Sequence, residues 1–185
     1  DVEALRFFSL SRQEDTRNYK LTSQMRCKGG NDYIDYIHNI LECQQEEMRT
    51  FGSSYELLLF EDVEDMVSAI KDKNNKMGLC RNMAGYAWPW KTHKMTLSKI
   101  QKEGLYDIKI ENKYEVNNAH KYIWNTTQKD WINSENSINE IGCIHTTQGY
   151  DLNYAGVIIG WGIDYDPINN IITVCKDMYQ DSKGK

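Results

Sequence analysis

The sequence has no CxxC pair, and its five cysteines, at 27, 43, 80, 143 and 175, are scattered and odd in number. This supports neither a structural zinc site nor a disulfide scaffold and fits reduced, packed thiols in a cytoplasmic protein. No stretch is apolar for long enough to span a bilayer, and the start carries no signal-peptide pattern. No GxxxxGK[ST] phosphate loop occurs anywhere in the 185 residues, so a Walker-type nucleotide site is not built within them. His93 and His120 lack the H-x-E or H-E-x-x-H company of a metal site, and no DExK or clustered acid–histidine set supports nuclease chemistry. Strong positive charge is also missing. A net charge of -5 argues against a broadly basic surface but leaves room for a local positive strip. The chain opens at Asp1 rather than Met and closes in a polar tail, which reads as a piece of a longer protein.

What is present alternates between strand-like and helix-like stretches. Leu21–Met25 has the alternation of a short strand that ends at Arg26, beside a Gly29-Gly30 turn. Arg26 suits either a bidentate phosphate contact, through its planar guanidinium, or a surface position closing the strand. Ile34, Ile37 and Leu41, with Tyr33 and Ile40, predict a helix from Asn31 to about Met48, capped by Asn31 or Asp32. Three consecutive leucines predict a buried strand at Tyr55–Phe60. Val63, Met66, Val67 and Ile70 predict the helix that follows, with Asp62 as its cap. Gly78–Ala87 reads as a third strand. Alternating elements with short connections predict an α/β fold with a mostly parallel sheet covered by helices. Sites on such sheets lie at the carboxyl ends of the strands.

Residues 91–137 break this rhythm and read as an inserted subdomain, too long for an idle loop. Trp88-Pro89-Trp90 stands at its entrance. Proline cannot continue a central strand there, and the two indoles either stack on bases or pin the insertion to the domain. Lys91, His93, Lys94, Lys99 and Lys102 make a locally basic start. A small hairpin is predicted from Tyr106–Ile110 and Lys113–Val116 around Glu111-Asn112. Farther on, Asp-Pro-Ile-Asn-Asn at 166–170 marks a hairpin turn before a strand at Ile171–Cys175.

Ile141–Gly160 is the most informative stretch, with apolar runs at 141–144 and 154–159 around the polar turn His145-Thr146-Thr147-Gln148-Gly149. Two buried strands with a functional loop between them follow from that pattern. Gly149 lets backbone amides approach a phosphate group. Thr146 and Thr147 have hydroxyls for phosphate oxygens, and Asp151 can accept from a ribose hydroxyl. The structural alternative has Thr146 capping the turn and Asp151 in solvent.

Residues 141–160 resemble motif V of superfamily 1 helicases, a strand running into T/C-x-H-x-x-Q/K-G-x-D/E, through Cys143, His145, Gln148, Gly149 and Asp151. The pieces LTSQMRC, EDVEDMV, AGYAWPW, WINS and EIGCIHTTQGYDLNYAGVIIG resemble the DUF2075 family, the Schlafen group 3-like DNA/RNA helicase domains. That resemblance implies a RecA-like three-layer domain with a mostly parallel sheet, the second domain of a P-loop NTPase helicase. Residues 1–90 and 138–185 would be its two parts, with 91–137 inserted and motif VI not reached. ATP would bind between this domain and an N-terminal RecA-like domain that holds most of the Mg2+ contacts. Arg26 would be the catalytic arginine reaching the ATP phosphates, and Gln24, Gln148, Gly149 and Asp151 would line the nucleotide. His145, Thr146 and Thr147 would lie on a track for single-stranded DNA or RNA, with Trp88 and Trp90 as further nucleic-acid contacts. With the Walker motifs and motif VI absent from it, no hydrolysis and no bound cofactor are expected of this piece alone, and its residues predict no metal site and no membrane partner. A non-catalytic nucleic-acid or protein-binding module and an RNA-processing domain are the competing readings.

Overall fold

The computed structural model describes residues 27–47, 49–53, 55–115 and 117–181. The expected strand at 21–25, with Gln24, and the adjoining Arg26 lie outside those residues.

Helix α1 spans Gly30–Leu41 and stops well short of the predicted Met48. Cys43 takes a left-handed φ of 55°. Its N–H donates to the Ile40 carbonyl at 3.0 Å, while the Gln44 N–H reaches the Asn39 carbonyl at 2.8 Å. This is a Schellman end. Because its left-handed residue is cysteine rather than glycine, the apolar period gives no warning of it. Gly29, not Asn31 or Asp32, holds the N-cap position, and Asp32 lies in the first turn, where its charge meets the positive helix end. The packed side is aromatic rather than aliphatic. Tyr33, Tyr36 and Tyr55 surround Phe51 at centroid distances of 5.4, 5.2 and 6.1 Å, leaving Ile40 and Leu41 exposed.

Tyr55–Phe60 does not form the expected strand. Among the described residues no strand pairs with it, and Leu59 is 81% exposed. Helix α2 follows at Val63–Met77, with the Asp62 carboxylate accepting the Glu64 N–H at 2.8 Å. That cap is the one the sequence predicts.

The remaining elements are β1 at Cys80–Ala84, α3 at Leu97–Glu103, β2 at Ile108–Glu111 and β3 at Ala119–Tyr122. They are followed by β4 at Ile141–Cys143, the single turn α4 at Ile144–Thr147, β5 at Tyr154–Ile158, β6 at Ile163–Asp166 and β7 at Ile171–Val174. Strands β4, β1 and β5 form one sheet in that order, parallel throughout, with Asn82 opposite both Ile141 and Gly156. The two apolar runs of the central stretch therefore share a sheet, with β1 between them. The predicted burial holds for one side of β5 only: Gly156 and Ile158 are buried, whereas Val157 and Ile159 are exposed. The architecture is mixed α/β, a parallel three-stranded sheet with two antiparallel hairpins.

Helix α2 covers one sheet face. A side chain at Gly156 would strike the Asn82 amide oxygen and Ile70, so glycine there lets helix and strand approach. Trp131 covers β4 on the other face, lying against Gly142. The buried Arg81 of β1 ties that covering segment down, donating from Nε to Ser137 Oγ at 2.9 Å and from Nη2 to the Ile132 carbonyl.

The β2–β3 hairpin pairs Ile108 with Tyr122 and Glu111 with Ala119, so its second strand comes later than predicted. Asn112 explains the shift, because its side-chain oxygen accepts the Tyr114 and Glu115 N–H groups and prolongs the turn. The hairpin docks on the start of α2. Asp62 accepts the Lys113 N–H at 2.9 Å and lies 3.0 Å from His120 Nε2. Burial opposes the Asp62 charge, but the Lys113 and Glu64 N–H groups and His120 outweigh it and hold the carboxyl below its usual range. An unfolded Asp titrates near about 3.9. The stabilising contribution is therefore complete above that pH and is lost as pH falls through the lower folded value. Asp62→Ala should cost about 1 kcal/mol at neutral pH and flatten the acid limb of stability below about pH 4. Urea midpoints measured across that range check it, and an unchanged acid limb would contradict the contact.

Candidate functional site

Because β1, β4 and β5 run parallel, their carboxyl ends at Ala84, Cys143 and Ile158 lie along one edge of the sheet. The chain leaving those ends carries the Tyr86–Trp90 turn, the 144–151 loop and Gly160-Trp161. Ligands of open α/β sheets bind at such an edge.

The loop turns its residues in different directions. Thr146 is buried, with its hydroxyl 2.9 Å from Cys143 Sγ. Thr147 donates its hydroxyl back to the Ile144 carbonyl at 3.2 Å. Both hydroxyls are thus spent inside the turn rather than presented to a phosphate. One helical turn accounts for this, since it folds positions 146 and 147 back onto the end of β4. His145 points outward, its side chain 57% exposed and 3.6 Å from the Asp181 carboxylate. Gln148, Gly149 and Asp151 are exposed as well. Gly149 has φ 88° with open space where a side chain would project, leaving its backbone accessible.

Beside His145 runs a row of rings. Tyr86 lies 5.6 Å from His145, 5.8 Å from Trp124 and 6.4 Å from Trp90. Trp90 continues the row to His93 at 5.1 Å. Burial, chiefly, and the neighbouring Cys143 thiol push the Tyr86 phenol well above its usual value, so it stays neutral at physiological pH.

The two tryptophans of the Trp-Pro-Trp turn divide. Trp88 is 7% exposed within the hydrophobic core, donates its indole N–H to the Lys109 carbonyl, and packs under Gly160. The expected nucleic-acid contact is corrected for Trp88: its ring is used in the core. Trp90 is half-buried and lines a cavity of about 280 Å³ with His93, Lys94, Asn125, Thr126 and Gln128. His93, Lys94 and Gln128 were not singled out as binding residues from the sequence, where the one signal is the local basic run.

The cavity is joined to the loop by buried polar contacts. Asn125 Oδ1 accepts the Cys143 N–H at 3.0 Å. Thr126 donates its hydroxyl to Glu140 at 2.7 Å, just ahead of β4. Among the described residues no group of three or more His, Cys, Asp or Glu could hold a metal ion, and no described helix is long and apolar enough to cross a membrane.

The family model for the Schlafen group 3, DNA/RNA helicase domain matches residues 2–185. The chain belongs to that family. This Schlafen group 3 domain is also similar to the uncharacterized protein YPL245W of Saccharomyces cerevisiae, 29% identical over 147 residues. The match covers 77% of this chain and 28% of that protein, so the domain spans little more than a quarter of its relative's length. No solved structure matches it. Membership of a helicase-domain family supports a nucleic-acid-related role for the domain at a coarse level.

Proposed function

We propose that this chain is the second RecA-like domain of an ATP-driven superfamily 1 DNA or RNA helicase or translocase. The observation that carries the reading is the convergence of the outward His145, the Tyr86–Trp90 ring row and the open Gly149 backbone at one carboxyl edge of the parallel sheet. The edge divides into two functions. His145 and Trp90 offer ring faces to the bases of a single strand, while Lys91 and Lys94 offer charge to its phosphates. Gly149 and Asp151 lie beyond His145 on the same loop. An accessible backbone and an exposed carboxylate suit a nucleotide phosphate and a ribose hydroxyl, so these two residues would hold ATP from this side. Gln148 is exposed between the two groups, and Gln24 and Arg26 complete the nucleotide side in this reading. ATP bound with Mg2+, mainly on the N-terminal RecA-like domain, supplies the free energy of hydrolysis. Within this domain the residues bind and orient, and α4 joins the strand side to the nucleotide side through a few covalent steps.

The test uses the full-length protein. Asp151→Ala should lower nucleic-acid-stimulated ATP turnover about tenfold, the loss of about one hydrogen bond in the activated complex. His145→Ala should weaken binding of a labelled single strand by a similar factor. Stimulated turnover that neither substitution lowers would overturn the placing of ATP and strand at these residues. A wild-type protein that binds single strands without turning over ATP would be a binding module instead.

A further inference from the structure

We propose that the cavity between the 90–94 turn and the 125–128 loop is a pocket for one unpaired nucleobase of the strand that passes His145. The proposal rests on the strand-binding reading above and adds to it a specific receptor and a mode of contact. Size comes first. About 280 Å³ lies just below the usual range for drug-sized ligands, enough for one planar heterocycle and too little for a stacked pair. Trp90 supplies an aromatic wall, and its neighbour His93 forms part of the lining beside it. Lys94, exposed and lining the pocket, places a cation where the sugar-phosphate of a bound base would emerge.

The polar lining predicts how the base is read. Asn125 is already committed, accepting from the Cys143 N–H and donating to the Thr127 carbonyl. Thr126 is committed to Glu140 and Thr92 to Asp107. These side chains make rigid walls and offer little to a base edge. Gln128 is exposed and has an amide that both donates and accepts, so it can turn to suit any base. The pocket should therefore accept bases with weak sequence preference, as a processive track requires. The Asn125–Cys143 contact fixes the pocket to the strand that leads into His145. A captured base and the strand beside His145 are thus held in one frame.

A base-deletion cycle on the full chain tests this. Fluorescence anisotropy would compare labelled single strands of about twelve nucleotides, oligo(dT) and oligo(U), with a matching strand of abasic residues. Wild type should favour the base-bearing strands about tenfold. Trp90→Ala should reduce that preference to about twofold, and Gln128→Ala should reduce it about threefold. Lys94→Ala should weaken base-bearing and abasic strands by equal factors. Trp90 also touches Trp124, so the exposed Gln128 variant keeps the test decisive if Trp90→Ala folds poorly. A preference for bases that persists in both variants, with His145→Ala still weakening binding, overturns the pocket and leaves the strand reading standing. Failure of every single strand to bind overturns both.

Discussion

Glu140→Ala should destabilise the domain by about 4 kcal/mol, one of the two largest effects expected here. Glu140 is completely buried. Its carboxylate accepts from Trp131 Nε1 at 2.6 Å, the Thr126 N–H at 3.1 Å, the Thr126 hydroxyl at 2.7 Å and Asn136 Nδ2 at 3.1 Å. All four donors are neutral groups. Alanine would strand them in the interior at about 1–3 kcal/mol each, less whatever a water entering the vacated space recovers. Glu140→Gln keeps the shape and one acceptor oxygen and should cost about half as much. Urea unfolding with an unchanged m-value reads the difference. An alanine variant within about 1 kcal/mol of the parent would show that the four contacts contribute little. The consequence reaches the site, because Glu140 directly precedes β4 and binds the loop that floors the cavity.

The second large effect comes from Trp131. It is fully buried, and Trp131→Ala should cost about 4 kcal/mol through lost burial and the cavity left behind. Its ring lies where a side chain on Gly142 would project, with Thr147 Cγ2 at 3.1 Å from the same point. Gly142→Ala should therefore cost about 3 kcal/mol by overpacking. The two changes should not add. In the Trp131→Ala background the Gly142 methyl meets only Thr147 Cγ2, and its cost should fall below about 1 kcal/mol, a coupling of at least about 2 kcal/mol. Additive costs would mean that the ring and β4 yield independently, contrary to the close fit of Trp131 over the sheet.

Features set by neighbouring residues were legible before the structure. Asp62 caps α2 because an acid before an apolar period satisfies the first N–H groups wherever it occurs. β4, β5 and β7 coincide with apolar runs, β1 falls inside the expected 78–87 strand, and the 166–170 turn closes through Asp166 accepting the Ile168 and Asn169 N–H groups. What failed depended on distant partners. Leu57, Leu58 and Leu59 look like a buried strand in isolation, but a strand exists only where another backbone pairs with it. Trp88 and Trp90 are indistinguishable by composition, and only the approach of Gly160 and Lys109 makes one a core residue. Glu140 reads as a polar lead-in until Trp131 and Thr126 are seen to converge on it. In the candidate site, the open backbone at Gly149 was legible from the loop's chemistry, whereas the outward direction of His145 was not. The inward turn of Thr146 and Thr147 follows from the single helical turn that carries them, and the cavity needed two segments far apart in sequence.

The order of the sheet also sets the order in which it can be made. β1 is the central strand, yet both of its partners come later in the chain, and the whole 91–137 stretch is synthesised before either. Pairing β1 with β4, and then with β5, closes long loops, and parallel ladders of that kind form slowly. As the ribosome proceeds, α2 and β1 emerge together and wait, with Cys80, Asn82 and Ala84 able to shelter only under the helix. A ribosome paused before Tyr154 would hold a nascent chain whose central strand has at most one of its two neighbours. That interval is when the chain is most exposed to chaperones, proteases and mispairing with other chains.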